Sequence, residues 1–354
     1  MNPLESKQDI LDLYEFGNCA RALLPEIFDL ADREGIFRRL RDVSPFTFDG
    51  FCKALEKDPG YAVSGGSRRR MISVLMDLFR EAGWLDGGNG GASRAPEEAC
   101  DRVEEGQVAF FRECLRHVPA FLRGDPAPFA FDEKSVSMWD RFLGCPSYRS
   151  CRKMLMGLIG VENWPTFRLL DLCHGPGWGL ADAVASYPAA RVTAVDFTGS
   201  FARLARERLN GGGAGPGGAN LRWFDSGQWK GFGSPLPLDD GAFDAVLFCC
   251  GDPYIPRGIR EDVYREISRV LVPGGRLGIL TRAYPDAACR YVPSRGVRIA
   301  TLIHDFAEGV CAGWEGFSDM GENERLFSEI GFRGREGNHG KTNFLDGTLW
   351  VLEK

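Results

Sequence analysis

Short apolar runs alternate with helix-like stretches through the second half of the chain. The apolar runs lie at 169–173, 191–195, 221–224, 243–249 and 276–280, and the helix-like stretches at 177–186, 200–209 and 259–271. Alternation at this spacing predicts a parallel, doubly wound sheet. Ligands of such sheets bind outside the carboxyl ends of the strands. Residues 331–333 and 349–353 predict a terminal antiparallel hairpin.

The first hundred residues have helical rather than strand-like periodicity. Thr47 and Ser67 are placed to cap helices at 48–55 and 68–82, and a glycine-rich loop follows residues 84–86 as in a β-wing. Helix, helix and wing together predict a winged-helix arrangement. One apolar stripe at helical spacing faces a partner: Ala20, Leu23, Leu24, Ile27, Phe28 and Ala31.

A winged helix first suggests DNA, and three consecutive arginines, Arg68 to Arg70, strengthen that suggestion. The charge balance opposes it, because residues 1–100 hold 17 Asp and Glu against 13 Lys and Arg. A domain that binds phosphates should be basic. The whole chain has a net charge of −6. We therefore expect no nucleic-acid partner.

Length and composition indicate a globular protein of more than one domain. The 354 residues divide into a helical domain at 1–102, a helical linker and pocket cover at 103–165, and an α/β domain at 166–354. No apolar run approaches the ~20 residues of a membrane span. Neither the 11 cysteines nor the 4 histidines have the spacing of metal ligands. Reduced thiols, no metal site, no membrane and a cytoplasmic location are the expectations.

A glycine turn with an acid on either side carries the most specific signal. Asp171 lies within the first apolar run, Gly175 and Gly177 follow the run, and Asp196 stands 21 residues after Gly175. In a βαβ nucleotide site, an acid about 20 residues after the glycines binds the ribose hydroxyls. An acid before the glycines would repel a diphosphate, and it suits a ligand with an ammonium group.

The stretch DLCHGPG resembles motif I of the class I methyltransferases that use S-adenosylmethionine (SAM), with Cys173 at the first glycine position. LPLDDGAFDAVLF and EISRVLVPGGRLGIL resemble their later motifs, in the right order. With SRRRMISVLMDLFREAGWLD before them, the chain resembles the caffeate/hydroxyneurosporene-type small-molecule O-methyltransferases. This resemblance implies a Rossmann-like, seven-stranded SAM domain preceded by an all-α winged-helix dimerisation domain, and a homodimer.

The resemblance also implies the residues that bind SAM. Asp171 and the backbone of Gly175 and Gly177 would hold the methionine part, close to Cys173, and Asp196 the ribose. Asp225 would accept from the adenine amino group. Further cofactor contacts are expected from three residues: Phe197 and Trp229 on the adenine face, and Cys250 at the end of the fourth strand.

The expected catalytic base is absent from its usual place. Methyl transfer is an in-line displacement, and a phenolic acceptor must also lose its proton. The resembled enzymes use a histidine in H-D-W after the fourth strand, where this chain has Cys250-Gly-Asp252-Pro-Tyr254. Tyr254 or His304 could replace that histidine, or no base is used. The resemblance places Trp139, Phe142 and Met154 in the substrate pocket.

Three functional hypotheses remain open. The first is a SAM-dependent methyltransferase of a small, ring-containing metabolite, acting on oxygen by resemblance, or on carbon or sulfur because the histidine is missing. The second is a SAM-binding enzyme of the same fold that catalyses decarboxylation, hydroxylation or rearrangement. The third is a winged-helix regulator with SAM as its effector.

Overall fold

The computed structural model describes residues 20–85, 104–161, 164–211, 220–286, 294–345 and 347–354. The chain forms two compact units. The sheet unit consists of Phe131–Tyr291 and Phe317–Lys354. The helical unit consists of Tyr14–Ala130 and Val292–Gly316.

A mostly parallel sheet is the core of the sheet unit. Its order is β3-β2-β1-β4-β5-β10-β8, with β9 paired to β10, and a separate pair is formed by β6 and β7. The strands are β1 (Arg168–Leu172), β2 (Arg191–Val195), β3 (Leu221–Phe224), β4 (Phe243–Cys249), β5 (Leu271–Leu280), β6 (Ala283–Tyr284), β7 (Ser318–Asp319), β8 (Arg333–Gly334), β9 (Asn343–Phe344) and β10 (Leu349–Glu353).

Strands β1 to β5 run parallel, and β10 is antiparallel to both β5 and β8. The register pairs Leu172 of β1 with Val195 of β2 and with Phe248 of β4, so the carboxyl ends of these three strands lie side by side. The strand order changes direction at β1, between β2 and β4. In open α/β sheets this reversal opens the crevice in which ligands bind. The predicted parallel sheet and its antiparallel ending are confirmed.

Helices connect and cover the strands. The helices of the sheet unit are Val136–Leu143, Pro146–Ile159, Trp178–Ser186, Gly199–Gly211, Arg260–Val270 and Met320–Ile330, with short 3-10 turns at Asp252–Tyr254, Arg257–Ile259 and Glu336–Asn338. An apolar core lies between the sheet and its helices, and its buried members include Leu170, Val246 and Ile267. The β-branched and leucine-rich runs that predicted the strands are the residues buried here, as parallel strands covered on both faces require.

The helical unit is built from amphipathic helices, as their periodicity predicted. They are Leu24–Arg33, Ile36–Asp42, Phe48–Lys57, Gly66–Ala82, Glu105–Leu122 and Ser294–Glu308. The last of them packs on Gly66–Ala82 and on Glu105–Leu122. Thr47 caps its helix as expected, because its hydroxyl accepts from the Gly50 amide at 3.1 Å.

One local prediction about the helical unit is wrong. Ser67 is not a cap: the helix starts at Gly66 after an N-cap residue Gly65 that makes no side-chain bond. Gly66 has a φ of +65°, so a pair of glycines turns the chain into the helix without a capping hydroxyl. The helix Glu105–Leu122 contains Pro119 in its last turn. Most of the predicted wing, residues 86–93, lies outside the described residues.

The three consecutive arginines all bind within the helical unit. Arg68 donates to two backbone carbonyl oxygens, at 2.6 and 2.7 Å. Arg69 pairs with a nearby carboxylate, and Arg70 forms a bidentate pair with the buried Asp305 at 2.6 and 3.0 Å. These guanidinium groups therefore have intramolecular partners, which weakens the sequence argument that they contact phosphates.

Within the described ranges, no helix is both long enough and apolar enough to cross a bilayer.

Candidate cofactor site

Residues 173–178, the glycine turn, join β1 to the helix Trp178–Ser186. Gly175 and Gly177 have φ values of +55° and +84°, in the left-handed region that favours glycine. A Cβ on Gly177 would lie 2.5 Å from the Cβ of Ala205, on the helix Gly199–Gly211. Glycine at 177 therefore lets this helix pack directly against the turn.

Cys173 has the backbone of a glycine although it is a cysteine. Its φ is +55°, and its amide donates to the Val195 carbonyl of β2 at 2.8 Å. A left-handed conformation costs an L-residue roughly 1–2 kcal/mol. The turn thus keeps the geometry of the glycine motif at this position, with strain and with a thiol added.

Asp196, at the end of β2, is fixed by backbone amides. Its two carboxylate oxygens accept from the Gly175 amide at 2.9 Å and from the Thr198 amide at 2.7 Å. Burial raises the pKa of the Asp196 carboxyl, while nearby His174 and these amides favour the ionised form. A carboxylate has about four acceptor positions, so Asp196 keeps capacity for a further hydroxyl donor.

Asp171, at the end of β1, is the most perturbed acid of the site. It is 3% exposed, and its Oδ2 has no hydrogen-bond partner among the described residues. Burial and the charge of Asp196 raise its pKa to about 7, against the opposing effect of Arg152. A buried carboxylate oxygen without a donor is costly, and a cationic ligand would satisfy it.

Arg152 supplies a buried positive charge beside Asp171, and it is absent from the sequence prediction. It is 5% exposed, and its Nη1 donates to the Leu143 carbonyl at 2.9 Å. Its Nη2 is buried without a hydrogen-bond partner within the described part of the chain. A Cβ on Gly179 would lie 3.3 Å from Arg152 Cδ and 3.7 Å from Asp171 Oδ2. The two side chains therefore border the same space.

A sequence signal for Arg152 did exist. It shares its helix face with buried residues at helical spacing, among them Tyr148, Leu155 and Ile159. A basic residue on an apolar stripe needs a buried partner or a ligand, because lysine and arginine are almost never fully buried unless paired. With Asp171, it forms a pair of opposite charges that suits the ammonium and carboxylate of an amino acid.

The residues predicted to contact adenine follow the ends of β2 and β3. Asp225 is half-buried, and its pKa is lowered chiefly by the Gly227 amide, which donates to it at 3.0 Å. The ring of Phe197 packs over Gly231, where a Cβ would be 3.2 Å away. Trp229 is 3% exposed, donates to a backbone carbonyl and meets the Phe197 ring edge-on at 5.4 Å.

An aromatic cluster lies beyond the end of β4. The ring centroid of Tyr254 is 4.8 Å from that of Phe131 and 6.3 Å from that of Trp139. Phe131 also contacts Phe201 at 5.6 Å, and Trp139 contacts Phe142 at 6.3 Å. The predicted pocket residues Trp139 and Phe142 are therefore brought together with Tyr254.

The structure also describes two other residues predicted for the site. Met154 is half-buried on the helix Pro146–Ile159. Cys250 follows β4 with a φ of +60°, and its amide donates to the Leu280 carbonyl at 2.7 Å. Like Cys173, it is a cysteine in a backbone conformation that favours glycine.

Comparisons show that the chain is similar to known methyltransferases. A family model described as a methyltransferase domain matches residues 169–275. The demethylmenaquinone methyltransferase of Chlamydia pneumoniae is 27% identical over 204 residues, which cover 53% of this chain and 79% of that protein. The ubiquinone/menaquinone biosynthesis C-methyltransferase of Methylobacterium nodulans is 30% identical over 164 residues, 43% of this chain and 61% of that protein.

The chain belongs to the class I SAM-dependent methyltransferases.

The similarity of fold extends beyond the matched domain to nearly the whole chain. The crystal structure of an O-methyltransferase family 2 protein from Planctomyces limnophilus, in complex with apigenin, covers 99% of this chain and 97% of its own. Its TM-score is 0.56 at 17% sequence identity, so it shows a shared fold.

In this methyltransferase, Asp252 is a buried structural centre and not a free acid. Its Oδ1 accepts from Arg260 at 2.7 Å and from the Tyr264 hydroxyl at 2.5 Å. Arg260 also donates to Asn323 at 2.9 Å. This network fixes the 3-10 turn that presents Tyr254, and its members are too far apart in sequence for a local motif to reveal them.

His304 lies in the helical unit of the methyltransferase. Its Nε2 is 2.9 Å from Glu308 Oε2, and both side chains are buried. Its ring stacks on Trp314 with an interplanar angle of 10° and meets Phe111 edge-on at 4.7 Å. Trp314 donates in turn to Asp305 at 2.8 Å. A carboxylate on one ring nitrogen fixes the orientation of the imidazole.

Proposed function

We propose that this methyltransferase transfers the methyl group of SAM to a small, ring-containing metabolite. The observation that carries the proposal is the aromatic cluster of Phe131, Trp139 and Tyr254 beyond β4, in the same unit as the glycine turn. Aromatic walls stack on planar rings and exclude water. The relative from Chlamydia pneumoniae is named for a quinone acceptor, which supports a ring compound.

The charges of the site fit SAM end to end. We assign the ammonium to Asp171 and the carboxylate to Arg152, whose buried Oδ2 and Nη2 lack hydrogen-bond partners among the described residues. Asp196 would accept from the ribose hydroxyls, and Asp225 and Phe197 would contact the adenine. When bound, SAM supplies an activated methyl group on a sulfonium.

For the proton of the acceptor, we propose His304 as the general base, with Glu308 orienting it. Histidine is the side chain that ordinarily exchanges a proton near neutral pH. Tyr254 is assigned a hydrogen bond to the acceptor, because a phenol ordinarily titrates near pH 10. An acceptor methylated on carbon or already ionised would need neither residue.

The helical unit is proposed to be a winged-helix domain that forms a homodimer and does not bind nucleic acid. Its amphipathic helices support the dimer, because an apolar helix face needs a partner. Its charge, 17 Asp and Glu against 13 Lys and Arg in residues 1–100, argues against nucleic-acid binding. Light scattering gives the oligomeric state. A gel shift at ~150 mM salt tests DNA, since true phosphate contacts are strongly salt-dependent.

Calorimetry and product analysis test the function. Wild-type protein should bind SAM and its demethylated product, S-adenosylhomocysteine (SAH), in the micromolar range, and Asp196→Ala should bind neither. Methyl-labelled SAM is then incubated with a panel of phenols, hydroxyquinones and saturated alcohols. Label transferred to the ring compounds supports the proposal, and NMR assigns it to oxygen or carbon. Transfer only to open-chain acceptors would refute it.

A further inference from the structure

Asp140 fastens the helix Val136–Leu143, called the cover helix, to the glycine turn. Its Oδ1 accepts from Trp178 Nε1 at 2.8 Å and from Arg208 Nη2 at 2.7 Å. Trp178 Nε1 also lies 3.1 Å from the backbone oxygen of Asp140. One carboxylate thus joins the cover helix, the end of the glycine turn and the helix Gly199–Gly211.

Arg208 and Trp178 also contact each other and the glycine turn. The guanidinium of Arg208 lies 3.8 Å from the centre of the Trp178 ring, and its Nη1 donates to the Pro176 carbonyl. A Cβ on Gly144 would lie only 2.7 Å from the Trp178 ring, so this ring packs on the end of the cover helix. Pro176 and Trp178 flank Gly177, and the contacts therefore hold the middle of the turn.

The cover helix also touches the groups assigned to SAM and to its acceptor. Its last residue, Leu143, lies 3.7 Å from the position of a Cβ on Gly175, and its carbonyl accepts from Arg152 at 2.9 Å. Trp139, in the middle of the helix, contacts Tyr254. A displacement of this helix would consequently disturb the methionine end of the cofactor site and the aromatic cluster together.

We propose that Asp140 is a positioning residue that latches the cover helix over bound SAM and so couples cofactor occupancy to the acceptor pocket. The inference rests on the proposed cofactor site. SAM is enclosed when the helix is latched, and the demethylated product leaves when the latch opens. Because coupling is reciprocal, a helix held by the cofactor must hold the cofactor equally.

The latch has a strength suited to repeated opening. The side chains of Asp140 and Arg208 are 24% and 16% exposed, between a surface pair and a buried one. Exposed pairs contribute little, while hydrogen bonds to ionised groups are stronger than neutral ones. Removing the charge should shift the ratio of latched to open molecules about tenfold.

Asp140→Asn tests the latch, because the amide oxygen can still accept from Trp178 while the charge that holds Arg208 is gone. Glu133→Gln is the matched control. Glu133 pairs with Arg203 at 2.6 Å and ties the preceding loop to the same helix, Gly199–Gly211, with side chains 65% and 51% exposed. SAH release is measured by stopped-flow displacement with excess SAM. Deuterium exchange of residues 136–143 is measured with and without SAH.

The wild type and Glu133→Gln should release SAH at similar rates and show strong protection of 136–143 by SAH. Asp140→Asn should release SAH about tenfold faster and lose most of that protection. If Asp140→Asn does not fold, Trp178→Phe removes the indole donor while keeping the ring, and it should also release faster. Wild-type rates and protection in a folded latch variant would overturn the latch. Failure of the wild type to bind SAH would instead overturn the proposed cofactor site, and the latch with it.

Discussion

Asp171 should make the affinity for SAH depend on pH near neutrality. Burial and the neighbouring Asp196 raise the pKa of Asp171 to about 7 in the free protein. An ammonium group binds the ionised carboxylate, so binding must release the proton wherever the acid is protonated. Affinity should therefore rise as the pH passes upward through 7, the opposite of the behaviour expected if the neutral acid were the binding form.

The size of the effect follows from the ionised fraction. With a pKa of about 7, this fraction rises from roughly a tenth at pH 6 to a half at pH 7, which predicts about fivefold tighter binding, or ~1 kcal/mol. The comparison stays below pH 7.5, because free α-amino groups themselves begin to titrate near pH 8. Calorimetry at pH 6.0, 6.5 and 7.0 measures the slope.

Two variants make the assignment specific. Asp171→Asn should bind SAH weakly and with no slope in this range. Asp225→Asn should also bind more weakly but keep the wild-type slope, because the pKa of Asp225 is lowered by the Gly227 amide and the acid is already ionised at pH 6. The reasoning would be refuted if the SAH affinity of the wild type did not change with pH. It would also be refuted if the affinity of Asp171→Asn changed with pH as it does in the wild type.

The same shift has a consequence for stability. A raised folded-state pKa means that the folded protein binds this proton more tightly than the unfolded chain between about pH 4 and 7. The protonated Asp171 therefore adds to the free energy of unfolding at low pH, and this contribution is lost as the pH rises through 7. Without ligand, Asp171→Asn should raise the melting temperature at pH 8, with a free-energy gain of at most about 4 kcal/mol, and should change it little at pH 4.

Substitutions at four other positions test separate parts of the molecule. Arg152→Gln should weaken SAH binding ten- to a hundredfold, as expected for ionic hydrogen bonds, and leave adenosine binding unchanged in calorimetry because adenosine has no carboxylate. Gly177→Ala should lower stability in urea by more than ~2 kcal/mol, through its backbone strain and its clash with the adjoining helix. Cys173→Gly should unfold within about 1 kcal/mol of wild type, whereas Cys173→Val should be clearly less stable. Asp252→Asn should cost about 3–5 kcal/mol in urea unfolding, because it leaves Arg260 buried without its ionic partner.

The fold was predictable because its signals are local. Parallel strands covered on both faces need continuous apolar runs, and β4, predicted at 243–249, has those bounds in the structure. Asp171 and Asp196 were found for a similar reason, since a βαβ unit fixes the number of residues between two strand ends. The register then brings the ends of β1 and β2 together.

The remaining parts of the site depend on contacts between distant segments. Arg152 reaches Asp171 from a helix that precedes β1, and no local pattern reveals which acid it approaches. Trp229 shows the converse limit. Its position after β3 predicts an adenine contact, but the sequence does not show that the indole is 3% exposed and packs against Phe197. Periodicity identifies an apolar residue without telling which neighbour will cover it.

The balance of charge around the glycine turn relates these residues to turnover. When Asp171 and Asp196 are ionised, the site is negatively charged, because the charge of Arg152 is shared with Asp182, 3.6 Å away. SAM carries a sulfonium, an ammonium and a carboxylate, so its net charge of about +1 is attracted to the site. Transfer of the methyl group removes the sulfonium charge, and the product is held by the ammonium and carboxylate alone. The attraction between site and ligand therefore falls at the moment of transfer, and an opening latch at Asp140 would let the product leave.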